Sequence, residues 1–171
     1  MKLSYKFLSL FIVVLIALFL VAPALVMAAT TASVTITATP IYIAITNVPS
    51  SYDFGSVNTS ATPSTTAGYF TITNTSTTST NITIWGTDFT GGSGWTLATA
   101  GAPGSQIAGM YAGIVSGSFN ITVTTTTTTV LKSSLAALIN QTWHLKLMCP
   151  TNTPTDGAQR TSTITISAAA A

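Results

Sequence analysis

Apolar residues alternate with threonine and other small polar residues along most of the chain after residue 30. The alternation has a period of two, which is typical of β-strands with one buried face. Strands are predicted where it is clearest, at residues 34–36, 41–45, 69–72, 81–85, 95–97, 110–115, 119–123, 143–147 and 164–166. Turn residues separate these runs at intervals of roughly ten residues, a spacing typical of a β-sandwich. The pattern therefore predicts an all-β sandwich.

One segment has a different period. Leu135, Leu138 and Ile139 lie at helical spacing within residues 132–140, and Ser133 or Ser134 can cap the start of a helix there. We therefore predict one short helix that crosses the end of the sandwich.

The N-terminal residues have the pattern of an export signal. Lys2 and Lys6 precede an apolar run over residues 7–21, and Val26 and Ala28 place small residues at positions −3 and −1 of a cleavage site before Ala29. We predict an N-terminal signal helix within a signal peptide of residues 1–28, followed by a single β-sandwich domain over residues 29–171. The alternative is an uncleaved anchor, because residues 7–29 are about long enough to cross a bilayer. Either reading predicts that the domain is extracellular or at the cell surface.

Charge is nearly absent after residue 28. Three acids and three bases balance there, namely Asp53, Asp88, Asp156, Lys132, Lys146 and Arg160. A basic patch that binds nucleic acid cannot be built from three cations, so no nucleic-acid partner is predicted. A near-neutral surface favours self-association or contact with other cell-surface components. A membrane partner is predicted only if the N-terminal segment is uncleaved.

Few residue types suited to catalysis or metal binding are present. His144 is the only histidine, Cys149 is the only cysteine, and the chain has no glutamate. Asp53 and Asp88 lie near turns, where aspartate commonly hydrogen-bonds its own backbone. We therefore predict no catalytic residue, no metal site and no cofactor, and we interpret Cys149 as a buried thiol.

The strand at residues 143–147 makes a sharper prediction about its two faces. Trp143, Leu145 and Leu147 alternate with His144 and Lys146. Period-two alternation predicts that the three apolar side chains enter the core and that His144 and Lys146 face outward.

Two motifs resemble known families. The sequences YDFGSV at residues 52–57, YFTITNT at 69–75 and NITI at 81–84 together resemble the opening half of Hydin-type immunoglobulin-like domains. This resemblance implies an immunoglobulin-like β-sandwich with a scaffolding or adhesive role and no catalysis. Trp95-Thr96-Leu97 and Trp143-His144-Leu145 resemble the paired signature of secreted WxL cell-wall-binding domains, which implies a surface-attached module.

Three sets of residues are candidates for modification or binding. Five asparagines lie in N-x-S/T sequons and are candidates for glycosylation: Asn58, Asn74, Asn81, Asn120 and Asn140. Trp85 alternates with Ile82 and Ile84, so it is the best candidate for an exposed ring that stacks on a glycan. Val34 and Ile36 belong to a leading segment that either pairs within its own sandwich or adds as a donor strand to the sheet edge of a neighbour.

These observations favour a non-catalytic extracellular cell-surface structural protein, such as a self-assembling fibre, sheath or surface-layer subunit. Threonine hydroxyls bind water without charge repulsion, which suits close lateral packing of subunits. The alternative function is a module that binds a cell-wall polysaccharide or another glycan.

Overall fold

The structure is a computed structural model that describes residues 11–16, 33–92, 94–152 and 156–171. The chain divides into two compact units, Met1–Ala38 and Thr39–Ala171. In the first unit, residues 11–16 form a short helix and residues 33–38 have no regular secondary structure. None of the helices in the described ranges is long and apolar enough to cross a membrane. The predicted cleavage before Ala29, and most of the predicted signal peptide, lie outside the described residues.

The second unit is an all-β sandwich of two sheets, as the alternation predicts. Its strands are β1 (Ile45–Val48), β2 (Phe70–Asn74), β3 (Thr80–Gly86), β4 (Thr96–Leu97), β5 (Ile107–Gly113), β6 (Ile121–Thr122), β7 (Thr129–Leu135), β8 (Asn140–Met148) and β9 (Ile164–Ala170). The larger sheet has the order β1-β2-β8-β5-β4, with β6 paired to β5, and the smaller sheet has the order β7-β3-β9. Only the β4–β5 pair is parallel among the strand pairs of the described residues.

The core lies between the sheets, where the apolar side of each period-two pattern is buried. On β3, Ile82 and Ile84 are completely buried, and on β8 the side chains of Trp143, Leu145 and Leu147 are buried as predicted. Removal of these side chains from water is the main favourable term that holds the two sheets together.

The short helix predicted over residues 132–140 is wrong. These residues form the end of β7, a turn, and the first residue of β8. The turn is held by Asn74 on β2, because the Leu138 N–H donates to the Asn74 carbonyl at 2.8 Å and the Asn74 N–H donates to the Ile139 carbonyl at 3.0 Å. Leu138 also has a φ of 61°, which no helix accommodates. Hydrogen bonds to a distant strand therefore override the local helical spacing.

The predicted leading strands are also absent. Val34 and Ile36 belong to no strand, and the strand predicted from residue 41 begins only at Ile45. Two backbone hydrogen bonds extend the β1–β2 pairing before that point, from the Thr75 N–H to the Ala44 carbonyl and from the Thr77 N–H to the Tyr42 carbonyl. Residues 52–57 (YDFGSV), the first of the motifs that resemble Hydin-type domains, form no strand either.

His144 shares the strand face of Lys146, as predicted, but that face is not open to solvent at His144. His144 is only 2% exposed, because residues 118 and 119 cover it. The Phe119 ring lies edge-on at 4.7 Å between ring centroids, and the His144 Nε2 lies 3.1 Å from the Ser118 carbonyl oxygen. Lys146 stays half-buried, with its ammonium 5.7 Å from the centroid of the same Phe119 ring.

The two faces of β8 lead to a first prediction. Leu145→Ala should lower the free energy of unfolding by about 2–4 kcal/mol, because it removes buried methyl groups and leaves a cavity. Lys146→Ala should lower it by less than about 1 kcal/mol, because the side chain loses one partly exposed contact with an aromatic ring. Chemical denaturation followed by tryptophan fluorescence measures both values. Equal losses for the two variants would contradict the assignment of the faces.

Candidate functional site

A large open groove lies beside β9, between this strand with the residues that precede it and the loop that follows β1. The space has a volume of about 1110 Å³. We call it the β9 groove; its floor includes Phe70, Trp143, Leu145 and Leu147, and one wall includes Ile164 and Ile166.

The floor of the β9 groove is apolar and belongs to the core. The rings of Phe70 and Trp143 are stacked, with centroids 4.4 Å apart and planes at 22°. The indole Nε1–H of Trp143 donates to Asn47 Oδ1 at 2.8 Å, which satisfies the one polar atom of the ring. Asn47 in turn donates through Nδ2 to the Pro49 carbonyl at 3.1 Å. Both rings are nearly fully buried, so only their edges reach the groove.

The opposite wall comes from the loop that follows β1. Tyr52 makes edge-to-face contacts with Phe54 at 4.9 Å and with Tyr69 at 4.8 Å between ring centroids. Asp53 Oδ1 accepts a hydrogen bond from the Gly55 N–H at 2.7 Å, which confirms the turn predicted for this aspartate. Gly55 has a φ of 66°, a backbone conformation that favours glycine.

One end of the β9 groove carries an aromatic and charged cluster. The Arg160 guanidinium lies 5.2 Å from the Trp95 ring centroid, and its Nη2 donates to Asp156 Oδ1 at 2.8 Å. Trp95 also makes an edge-to-face contact with Phe89 at 5.5 Å. Among the described residues that line the groove, Asp53 and Arg160 are the charged ones, and uncharged polar residues line it together with apolar ones, so the groove suits an uncharged occupant with both apolar and hydrogen-bonding groups.

The outer edge of β9 borders this groove. One edge of β9 pairs with β3 from Ile164 opposite Gly86 to Ala170 opposite Thr80. Within the described residues, no strand pairs with its other edge. Ile164 and Ile166 are half-buried. An edge of this kind offers main-chain donors and acceptors together with apolar side chains to an added strand.

The candidate donor residues lie before the sandwich and are highly exposed. Val34 is 84% exposed and Ile36 is 88% exposed, and Ile41 follows with 64%. Apolar side chains exposed in alternation over one short segment are unusual for a chain that has a sandwich core in which to bury them.

The asparagines of the five sequons differ in their burial. Asn58, Asn120 and Asn140 are exposed, and Asn81 is half-buried with its Oδ1 accepting from the Ser134 N–H at 3.0 Å. Asn74 is completely buried, and its Nδ2 donates to backbone carbonyls, so a glycan at Asn74 is incompatible with this fold. The N-x-S/T pattern does not encode burial, and for this reason the sequence alone could not exclude Asn74.

Trp85 lies where the alternation places it. It is half-buried on the outer face of β3, opposite Thr165 of β9, while Ile82 and Ile84 point into the core. Its ring is partly available to a flat ligand such as a sugar, and it does not line the β9 groove.

The remaining reactive groups have structural roles. Asp88 Oδ1 accepts a hydrogen bond from the Leu97 N–H at 2.7 Å, which fixes the loop between β3 and β4 rather than its own backbone turn. Cys149 is 1% exposed, as predicted, and burial raises the pKa of its thiol. Over the described ranges, no three side chains of His, Cys, Asp and Glu cluster where they could hold a metal ion.

Burial of Cys149 leads to a second prediction. A raised pKa leaves less thiolate at a given pH, and the side chain is also shielded, so reaction with a water-soluble disulfide reagent at pH 8 should be at least about 100-fold slower in the native state than in denaturant. Stopped-flow absorbance with the reagent in excess measures both rates. Similar native and denatured rates would show that the thiol is accessible.

The chain matches no protein-family model, and no match was found among curated proteins or solved structures. The resemblances to Hydin-type and WxL domains therefore stay predictions. The β9 groove was not predicted from the sequence. The residues of the larger sheet that line it follow an ordinary core pattern, and no sequence signal shows which loops and strands come together around it.

Proposed function

We propose that this protein is a non-catalytic structural subunit at the cell surface that assembles with copies of itself. The observation that carries the proposal is that two edge strands of the sandwich lack charged residues. The edge strands β1 (ITNV) and β9 (ITISAAA) contain no charged residue, whereas β7, the other edge of the smaller sheet, carries Lys132. Soluble proteins usually guard such edges with lysine or other charges, because unpaired main-chain groups recruit strands from other molecules.

The composition supports the same function. The domain has almost no net charge after residue 28, and its outward positions are rich in threonine and serine. Neighbouring subunits with such surfaces do not repel each other at close distance. The export signal predicted for residues 1–28 would deliver the subunit to the outside of the cell.

The test is the assembly state of the chain that begins at Ala29. Sedimentation velocity over a wide concentration range and negative-stain electron microscopy should show ordered polymers. A strictly monomeric chain at high concentration would contradict self-assembly.

A matched pair of variants tests the role of the edge. Ser167 on β9 lies directly opposite Thr83 on the central strand β3, and both are half-buried. Ser167→Lys places a charge on the unguarded edge and should suppress polymers, whereas Thr83→Lys places it one strand inward and should leave them. Equal behaviour of the two variants would show that assembly does not use this edge.

Trp85 supports a second candidate function, a glycan-binding module. Its half-buried ring on the outer face of β3 leaves part of its surface open to stacking on a sugar. Retention of the protein on insoluble cell-wall polymer, lost in Trp85→Ala and kept in Trp143→Phe, would support this function over the structural one.

A further inference from the structure

We infer that residues 33–39 of one copy bind in the β9 groove of a second copy as an added strand, so that subunits join head to tail. This inference rests on the proposed self-assembly and identifies the two surfaces that would form the contact between copies. The partner is a second copy of this chain, and the recognition is main-chain pairing combined with burial of alternate apolar side chains.

The β9 groove has the features of a site for a missing strand. Ile164 and Ile166 are only half-buried, the outer edge of β9 has no partner strand among the described residues, and the space of about 1110 Å³ lies over an aromatic floor. A strand added along this edge would satisfy main-chain groups of β9 and would turn every second side chain toward the groove, next to Ile164 and Ile166.

The leading segment has the complementary features. Val34, Ile36 and Ala38 alternate with Thr35 and Thr37, so one face of an added strand would be apolar and the other hydroxyl-rich. In its own chain the apolar side chains of Val34 and Ile36 stay exposed. The segment carries no charge, which matches a groove whose described lining has only Asp53 and Arg160 as charged residues.

The lengths of the two elements also agree. Residues 33–39 are seven residues that end before Pro40, and β9 is seven residues long. A strand of seven residues is roughly 23 Å long. If it is treated as a rod about 10 Å across and two thirds of its surface is covered, the strand and its binding site together bury roughly 1,000 Å². Specific interfaces begin near about 1,000 Å², so one inserted segment per subunit is enough for association.

Disulfide trapping tests the inference in the chain that begins at Ala29 and carries Cys149→Ala. Ile36 is the central residue of the segment, and Ile166 is the residue next to the centre of β9 whose side chain lines the groove. Pairing of Ile36 with Ile166 would turn both side chains to the groove in either strand direction, at the short Cβ separation that a disulfide requires. Oxidation of the Ile36→Cys/Ile166→Cys variant should give a ladder of covalent multimers. The matched control is Ile36→Cys/Val130→Cys, which uses the opposite edge strand β7, where Val130 is 52% exposed.

The expected result is at least about tenfold more multimer from the Ile166 pair than from the Val130 pair, because disulfide formation needs close and specific geometry. Equal ladders from both pairs, or a disulfide within a single chain, would overturn the inference. If polymers form on electron micrographs but the Ile166 pair does not cross-link, the groove assignment fails and the proposed function stands. If no polymers form at all, both fail.

A second pair of variants does not depend on cysteine chemistry. Ile36→Asp places a charge on the apolar face of the donor segment and should weaken association by at least about tenfold. Thr35→Asp places the same charge on the opposite face and should leave association nearly unchanged. Both positions precede the sandwich unit Thr39–Ala171, so unfolding of that unit should be the same in the two variants. Equal association of the two variants would overturn the inference.

Discussion

Trp143→Ala is expected to lower the free energy of unfolding by about 3–5 kcal/mol, since loss of a large buried ring removes apolar contacts and leaves a cavity. Trp143 is 2% exposed, stacks on Phe70 at 4.4 Å, and donates to Asn47 Oδ1 at 2.8 Å. Whole domains are stable by only about 5–15 kcal/mol, so this one change removes a large share of the total. Urea or guanidinium denaturation followed by circular dichroism measures the loss.

Trp143→Phe is the matched control for this prediction. It keeps an aromatic ring next to Phe70 and removes the indole N–H that reaches Asn47, so the loss should be about 1–2 kcal/mol. A loss as large as that of Trp143→Ala would mean that the hydrogen bond, rather than the packing of the floor, dominates. A loss below about 1 kcal/mol for Trp143→Ala would contradict the placement of this ring in the core.

Asn74→Ala is the second change with a large expected effect, about 3–5 kcal/mol, because it leaves several buried main-chain groups without a partner. Asn74 Nδ2 donates to the carbonyl oxygens of Thr78, Leu135 and Ala136 at 3.0, 2.8 and 3.0 Å. Its Oδ1 accepts from the Ser76 N–H at 2.9 Å. One side chain thus joins the β2–β3 turn to the β7–β8 turn, and its loss should loosen both.

Asn81→Ala is the control for Asn74. Asn81 is half-buried and accepts one hydrogen bond, from the Ser134 N–H at 3.0 Å, so its replacement should cost about 1 kcal/mol. Thermal unfolding of both variants, together with hydrogen exchange at Leu138 and Ile139, measures the difference. Fast exchange at these two amides in Asn74→Ala and slow exchange in Asn81→Ala are expected; the same exchange in both would contradict the role assigned to Asn74.

Asn74 also shows why one local prediction failed. The segment has helical spacing at Leu135, Leu138 and Ile139. Such spacing leads to a helix only where the backbone is free to form its own i to i−4 hydrogen bonds. Here the carbonyl and amide groups of residues 135, 136, 138 and 139 bond to Asn74, which is more than 60 residues away in sequence. His144 is a similar case, since residues 118 and 119 cover a strand face that period-two alternation predicts to be open.

The assembly proposal depends on features at different levels of structure. The proposed donor segment is visible in the sequence, because alternation of Val34 and Ile36 with threonines before Pro40 is a local pattern. The proposed acceptor is not, because the β9 groove is lined by residues of several strands and loops that lie far apart in the chain. A tertiary arrangement of that kind depends on which strands pair, and strand pairing is a long-range property.

The sequence by itself determined the all-β class, the core faces of β3 and β8, the burial of Cys149 and the near absence of charge, since each follows from period-two alternation or from composition. The tertiary structure alone decided the order of the strands, the turn that replaces the predicted helix, the burial of Asn74 and His144, and the open edge of β9. The physical reason is that local patterns specify which side of a strand avoids water, whereas its neighbours are chosen by hydrogen bonds and packing between residues far apart in the chain.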